Sequence, residues 1–181
     1  MRKSFKTAAQ GAKPKKPFDK LEQTDPARAL VRYAELGDLS GVTRLLARGL
    51  DPDEVISVNI GVETVEDTAL YAAAGAGHLK IADALIHAGA DVNKKINDNE
   101  TPLLHAGSNG WPNMVTLLID HKADINHADS YDGYTALHWA ARLGRSVTTE
   151  RLLLAGADET IKSKRGETAR QMICAQIGMG K

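Results

Sequence analysis

Cysteine, aromatic side chains and long apolar runs are all scarce in this chain. Cys174 is the only cysteine among 181 residues, so no internal disulfide can form, which favours a reducing compartment. Aromatic residues make up 4% of the chain, a share that suits arrays of small helices better than a compact globule. The sequence has no apolar run of membrane-spanning length and no N-terminal run of signal-peptide length. We therefore expect a soluble protein of the cytoplasm, with the nucleus as the alternative.

Recognisable catalytic and cofactor-binding motifs are absent as well. The chain has no glycine-rich phosphate loop, no Gly-x-Ser-x-Gly, no His-Glu-x-x-His and no cysteine pair at metal-binding spacing. His87 and His121 together would not suffice for zinc, which needs more convergent ligands. We predict no enzyme activity, no cofactor and no metal site.

The net charge of zero hides an uneven distribution. Residues 1–20 contain seven Lys or Arg and a single acid, so the other residues hold 16 bases against 22 acids, a balance of −6 (16 − 22). Residues 1–24 lack helical or strand periodicity and are predicted to be a disordered basic tail. Three interpretations of the tail stay open: a solvated arm, an electrostatic contact with nucleic acid, an anionic membrane or an acidic partner, and a nuclear-import signal. The acidic body disfavours nucleic-acid binding by the rest of the chain.

Three short markers recur along the chain in one register, which is the signature of a repeat protein. A threonine followed by Ala or Pro stands at positions 68, 101, 135 and 168, in steps of 33, 34 and 33 residues. The tripeptide Gly-Ala-Asp, with Lys replacing Gly in the middle copy, begins at positions 89, 122 and 156. Glycines suited to separating two helices stand at positions 37, 77, 110 and 144. One structural unit is therefore predicted to repeat.

Each repeat predicts a pair of helices followed by a loop. Threonine is a good N-cap for a short Ala-rich first helix, and glycine ends that helix because it adopts a left-handed conformation at little cost. The second helix carries apolar residues at helical spacing, such as Leu79, Ala82 and Leu85. Asp25-Pro26 predicts the start of the first helix of the array.

These motifs resemble the ankyrin repeat. The segment Thr-Ala-Leu-His-Trp-Ala-Ala at 135–141 and the segment Gly-Ala-Asp-Val-Asn at 89–93 match the family's signature closely. The resemblance implies an all-α solenoid of stacked helix-turn-helix units with projecting β-hairpin loops. It also implies that His138 bonds to the backbone at its helix start, and that a partner protein binds on the concave face.

We assign about five units, at residues 26–55, 56–95, 96–128, 129–160 and 161–178. They form a repeat domain over residues 25–178, followed by a short tail at 179–181. The first and last units depart from the family pattern and are interpreted as caps, because each must show one face to water.

The first hairpin, residues 52–66, is longer than the others, because Gly49 and Gly89 are separated by 40 positions rather than 33. Ile56, Val58, Ile60 and Val62 alternate there with polar residues, which predicts a strand with one apolar face. Two interpretations stay open. The apolar face packs on the solenoid's own first helices, or residues 56–63 are an exposed edge for a partner or for weak self-association.

One extra residue in the segment 129–133 is predicted to aim Tyr131 and Tyr134 at a hairpin tip. Trp139 is interpreted as a packing residue, whereas Trp111 replaces the family's usual His and is a candidate contact. The positions that correspond to the family's variable contacts give a predicted partner-binding set: Val65, Asp67, Asp98, Glu100, Ser108, Asn109, Trp111, Tyr131, Asp132, Tyr134 and Arg142.

The favoured hypothesis is a non-enzymatic adaptor, inhibitor or effector that binds a protein on its concave face. The alternative is a nucleic-acid or anionic-membrane binder that acts through the basic tail. Removing the tail and measuring salt-dependent binding would separate the two.

Overall fold

The structure is a computed structural model that describes residues 19–60 and 63–176. Those residues form ten helices and one two-stranded antiparallel sheet. The helices are α1 (Asp19–Thr24), α2 (Pro26–Leu36), α3 (Leu39–Leu46), α4 (Ala69–Ala76), α5 (Leu79–His87), α6 (Pro102–Asn109), α7 (Pro112–Asp120), α8 (Ala136–Arg142), α9 (Ser146–Leu154) and α10 (Ala169–Gln176). The strands are β1 (Ile56–Ile60) and β2 (Glu63–Asp67).

The helices stack in two parallel rows, as the repeat predicts. The first helices of successive units pack in the order α2, α4, α6, α8 and α10, and the second helices in the order α3, α5, α7 and α9. The first helices α2, α4, α6 and α8 also pack against the second helix of their own unit. The all-α repeat architecture expected from the sequence is confirmed.

Local capping sets the boundaries of the first helices. The hydroxyl groups of Thr68, Thr101 and Thr135 each accept a hydrogen bond from the backbone N–H three residues on, at 3.3–3.4 Å. At the other end, Gly77 and Gly110 have φ of 76° and 83°, a left-handed conformation that only glycine adopts cheaply. The predicted start and stop signals therefore act where they were placed.

The buried core follows the alanine-rich first helices. Ala73, Ala106 and Ala140 are fully buried at equivalent positions, and small side chains there let neighbouring helices approach closely. Leucines of the second helices, such as Leu85 and Leu118, close the core from the other side. The core therefore runs the length of the array and does not centre on one point.

The residues after Gly77, Gly110 and Gly144 each bond back to the preceding unit. The ring N–H of His78, the indole N–H of Trp111 and the guanidinium of Arg145 donate to backbone carbonyls of the preceding first helix, at 3.0, 2.8 and 3.0 Å. Each side chain covers the left-handed glycine of the preceding unit, and a Cβ at any of the covered glycines would lie 2.8 Å from it. These contacts clamp neighbouring units together.

The predicted start of order at Asp25 is six residues late, since α1 occupies residues 19–24. Glu22 of α1 is buried and accepts hydrogen bonds from the Tyr33 hydroxyl and from Arg44. The bond from Arg44 holds the pKa of Glu22 below its ordinary value. This anchor joins side chains 11 and 22 residues apart, which no local periodicity reveals. The rest of the basic tail, residues 1–18, lies outside the described residues.

The lengthened first hairpin is the antiparallel pair of β1 and β2, with Val58 opposite Val65. Ile56 is partly buried and packs against the core, as the first interpretation of this hairpin expected. The side chains of residues 58–64 lie outside the described set, so self-association through residues 56–63 stays a prediction.

Candidate functional site

The hairpin tips of successive units are joined in a continuous row. The side-chain amide of Asn97 accepts from the backbone N–H of Glu66 at 2.8 Å and donates to its carbonyl at 3.0 Å, as a neighbouring strand would. The later tips are joined by backbone bonds, from Ser130 N–H to the Asp98 carbonyl at 2.7 Å and from Lys164 N–H to the Asp132 carbonyl at 2.9 Å. We call this arrangement the hairpin row. Because each tip is held by the next, the surface is organised before any partner arrives.

A cleft of about 590 Å³ opens between the first hairpin, formed by β1 and β2 at the start of the second unit, and the hairpin of the third unit. Four residues of the predicted partner-binding set meet in it, together with Glu66, Tyr71 and Asn97. We call it the acidic cleft, because four carboxylates and no basic side chain line it. The lining residues are Val65, Glu66, Asp67, Tyr71, Asn97, Asp98 and Glu100.

Asp67 is the carboxyl group in the acidic cleft whose pKa burial raises. Its Oδ1 atom is buried and has no hydrogen-bond partner among the described residues. Burial raises the pKa of Asp67 to about 6, against the opposing effect of a backbone hydrogen bond from Thr68. The negative charge of Glu35 raises this pKa further. A cation that entered the cleft would restore the interactions that the carboxylate lost on folding.

Asp67→Asn should stabilise the folded chain at pH 7 by about 1–2 kcal/mol, after allowance for solvent screening of a partly exposed group. Between the ordinary value of 3.8 and about 6 the folded wild type binds more protons than the unfolded chain. Its stability therefore falls as pH rises through that window, and the variant lacks this slope. Urea denaturation at pH 4 and pH 7 measures both effects.

The control for that change is Asp98→Asn, at an exposed position in the same cleft. It should leave the free energy of unfolding unchanged at both pH values. Equal stabilisation by the two variants would mean that general charge repulsion, and not burial of Asp67, is the cause.

Tyr71, which lines the acidic cleft, forms a stacked pair of rings with His105. The Tyr71 hydroxyl donates to Glu100, and the Tyr71 ring stacks on His105 with centroids 4.1 Å apart. His105 donates from Nδ1 to the Tyr71 carbonyl at 3.2 Å, and burial lowers the pKa of this histidine. A Cβ at Gly75 would overlap the His105 ring, so glycine is required there. Tyr71 therefore presents an aromatic ring beside the carboxylates of the acidic cleft.

The hairpin of the fourth unit is built around one buried carboxylate, that of Asp129. Its Oδ1 accepts hydrogen bonds from three successive backbone N–H groups, at 3.0, 2.8 and 3.0 Å for residues 131, 132 and 133. Its Oδ2 accepts from the Trp139 indole at 2.8 Å. The extra residue of this unit is absorbed in that turn, which projects Tyr131 outwards with 73% of its surface exposed.

The prediction that Tyr134 lies exposed at the hairpin tip is wrong. It is 1% exposed and stacks on His138, with ring centroids 5.4 Å apart, and it meets the Trp139 ring edge-on. Its backbone carbonyl accepts from the Asp129 N–H at 3.0 Å, next to the bridge between Ala128 and Thr135. That pairing turns the side chain inwards, so Tyr134 is a packing residue. Trp139 is partly buried against the core, as expected.

His138 takes the role that the resemblance implied. Its Nδ1 accepts from the Thr135 backbone N–H at 3.3 Å, and its Nε2 donates to the Glu167 carbonyl at 3.4 Å. Burial lowers the pKa of His138, so the ring is neutral at physiological pH. Through its bond to Glu167, His138 joins the fourth unit to the fifth.

Arg142 and Arg165 converge on Asp132 beside the exposed Tyr131. Their guanidinium groups lie 3.8 and 3.6 Å from the two carboxylate oxygens of Asp132. We call these residues the arginine pair. Tyr131, Asp132 and Arg142 belonged to the predicted set, whereas Arg165 comes from the next unit and was not predicted.

The other three predicted contacts lie apart from both clusters. Ser108 and Asn109 each donate a side-chain hydrogen bond to the His105 carbonyl at 3.0 Å. Trp111 is 42% exposed, yet its indole N–H donates a hydrogen bond to the Gly75 carbonyl of the preceding unit. Partner contact by these residues stays a prediction.

The described residues meet the requirements of neither a clustered metal site nor a membrane-spanning helix. Among residues 19–60 and 63–176, no three His, Cys, Asp or Glu side chains are grouped to hold a metal ion. His87 and His121 meet edge to face, with ring centroids 5.8 Å apart. No helix in these ranges has the length and apolar character to span a bilayer.

Comparison with known proteins matches the repeats directly. A model of ankyrin repeats in three copies matches residues 90–163, and a single ankyrin-repeat model matches residues 66–97. Together they cover more than half of the chain.

Similar curated proteins contain related segments. The B-cell lymphoma 3 protein homolog of Mus musculus is 36% identical over 114 residues, which are 62% of this chain and 25% of that protein. The probable E3 ubiquitin-protein ligase XBOS33 of Oryza sativa subsp. japonica is 35% identical over 121 residues, or 61% and 23%. The neurogenic locus notch homolog protein 2 of Homo sapiens is 36% identical over 77 residues, or 42% and 3%.

The chain spans a quarter or less of the length of these relatives. The likeness therefore concerns the repeats, which agree in register with the threonine caps, the separating glycines and the stacked helix pairs described above. On this evidence, the chain belongs to the ankyrin-repeat family.

Proposed function

We propose that this chain is a non-enzymatic interaction module of the cytoplasm that binds a basic segment of a partner protein. The binding surface is the face made by the hairpin row and the first helices, which is the concave face of the family's arrays. The observation that carries the proposal is the acidic cleft, with the buried and unpartnered carboxylate oxygen of Asp67 in its wall. The relatives are consistent with a protein-binding role, since all share the repeats.

The chemistry of the acidic cleft suits a lysine or arginine side chain. Its four carboxylates attract a cation, and in a partly desolvated cleft that attraction is stronger than in bulk water. The Tyr71 ring offers a flat apolar surface for the methylene stem or the guanidinium plane. Because the hairpin row is already ordered, little conformational entropy is lost on binding.

The test uses fluorescein-labelled peptides that carry an arginine triplet, a glutamine triplet or a glutamate triplet in one neutral sequence. Fluorescence anisotropy with the full chain should show that the arginine peptide binds and the others do not. Asp67→Asn should weaken that binding by about tenfold or more, which corresponds to about 1.4 kcal/mol. Binding by the wild type should also weaken as pH falls below about 6, because protonation of Asp67 removes its charge.

Asp120→Asn is the matched control, since Asp120 is an exposed carboxylate on α7 that does not line the acidic cleft. It should leave the affinity unchanged. Equal weakening by the two variants, or equal binding of all three peptides, would contradict the proposal.

A further inference from the structure

We propose that the arginine pair is a second binding point on the same face, one that takes an acidic side chain of the partner. The partner is then an extended segment with a basic residue in the acidic cleft and an acidic residue at Arg142 and Arg165, beside Tyr131. This inference rests on the proposed function, and it adds the charge order and the spacing of the bound segment.

The two guanidinium groups are accessible, whereas the carboxylate beneath them is not. The side chains of Arg142 and Arg165 are 45% and 64% exposed, and that of Asp132 is 13% exposed. Both ion pairs with Asp132 are longer than a direct hydrogen bond. Asp132 therefore holds the two guanidinium groups close together. Their outer N–H groups remain available to donate to a carboxylate.

Arg142 is held in position by aromatic neighbours. Its guanidinium lies over the rings of Tyr134 and Trp139, 5.5 and 5.8 Å from their centroids. It also donates to the Tyr134 hydroxyl at 3.3 Å. A side chain that is already ordered loses little rotamer entropy when it binds a ligand. Such preorganised arginines are common at the energetic centres of interfaces.

Neighbouring charged groups leave the outward face of the arginine pair positive. Lys164 stands next to Arg165 in the chain and adds a third base, which donates to the Ser130 carbonyl. The carboxylate of Asp129 is buried and takes four hydrogen bonds within its own hairpin. That of Glu167 accepts from the Tyr134 hydroxyl at 3.4 Å. The groups that reach solvent beside Tyr131 are therefore mainly cationic.

The repeat geometry sets the distance between the two binding points. The acidic cleft lies between the second and third units, and the arginine pair joins the fourth and fifth, so the two are two units apart. Stacked helices lie about 8–10 Å apart, which gives a separation of about 20 Å. An extended chain covers that distance in about six residues, at about 3.3 Å per residue.

The experiment is a double-mutant cycle between peptide and protein. One probe peptide carries an arginine triplet and a glutamate triplet whose centres lie about six residues apart, and a second has glutamine in place of the glutamates. In both peptides a short proline-rich spacer joins the two triplets and keeps the chain extended. Arg165→Gln should weaken binding of the glutamate peptide by about five- to tenfold and leave that of the glutamine peptide unchanged. Arg142→Gln should act in the same direction.

Arg170→Gln is the control, because Arg170 is an exposed arginine that pairs with Glu159 outside this cluster. It should not distinguish the two peptides. A third peptide with the two triplets adjacent should lose the contribution of its glutamates, since it cannot reach both points at once.

The outcomes separate this inference from the function on which it rests. If neither peptide binds, or if binding ignores Asp67→Asn, the proposed function fails and the inference falls with it. If both peptides bind equally and respond to Asp67→Asn but not to Arg165→Gln, the acidic cleft stands and the inference alone is overturned. Loss of affinity for both peptides on Arg165→Gln also overturns it, because that effect does not depend on the partner's acid.

Discussion

Replacement of Tyr134 by alanine should lower the free energy of unfolding by about 3–5 kcal/mol, whereas Tyr131→Ala should change it by no more than about 0.5 kcal/mol. The two tyrosines are three residues apart, but Tyr134 is 1% exposed and Tyr131 is 73% exposed. Removal of the Tyr134 ring leaves a cavity against His138 and Trp139. It also removes the surface on which Arg142 lies.

Urea denaturation followed by circular dichroism measures both variants. Tyr134→Phe is the matched control, since it keeps the ring and loses only the hydroxyl contacts to Arg142 and Glu167, at about 1 kcal/mol. Binding of the glutamate peptide should weaken in Tyr131→Ala, although this variant keeps its full stability. A small loss of stability for Tyr134→Ala would mean that the ring is not part of the core.

Asp129→Ala should cost about 3–4 kcal/mol, because one side chain satisfies four hydrogen-bond donors. Without it, the N–H groups of residues 131–133 and the Trp139 indole lose their acceptor in a buried site. The hairpin of the fourth unit should then lose its shape. Tyr131 and the arginine pair depend on that shape, so binding of an acidic probe should weaken as well.

Asp129→Asn separates the contributions of the two carboxylate oxygens. The amide oxygen can still accept from the three backbone N–H groups, but the amide N–H₂ would face the Trp139 indole, where one donor meets another. The expected loss is therefore intermediate, at about 1–2 kcal/mol. Hydrogen exchange at residues 131–133 provides the local measurement. It should be fast in Asp129→Ala and near the wild-type rate in Asp129→Asn.

Asp67 shows that binding and stability need not agree in this molecule. Its neutral variant is expected to be more stable at pH 7, yet to bind a cationic partner less tightly. A carboxylate oxygen that is buried without a hydrogen-bond partner costs stability, and a binding site for a cation commonly carries such a cost. A more stable but more weakly binding Asp67→Asn is therefore the result that the proposed function predicts.

The sequence by itself determined the repeat and its helices. The caps at Thr68, Thr101 and Thr135 and the left-handed glycines act through bonds within a few residues, so a local pattern predicts them. The first hairpin was predictable for the same reason, because strand alternation is local. The family and the all-α architecture follow from these signals, since a unit that cannot bury its own apolar face must stack on another.

Only the tertiary structure decided which polar residues share a site. Glu66 meets Asn97, Tyr71 meets Glu100 and Asp132 meets Arg165 across 31, 29 and 33 positions of sequence, and stacking of units creates each contact. Tyr131 and Tyr134 look equivalent in the sequence, and a backbone pairing at Asp129 sends one outwards and the other into the core. The helix α1 likewise depends on a buried carboxylate bonded to residues of two other helices. Interactions within a few residues of sequence determine where the helices and strands begin and end. The burial and the charge of the binding surface depend instead on which side chains the stacked units bring together.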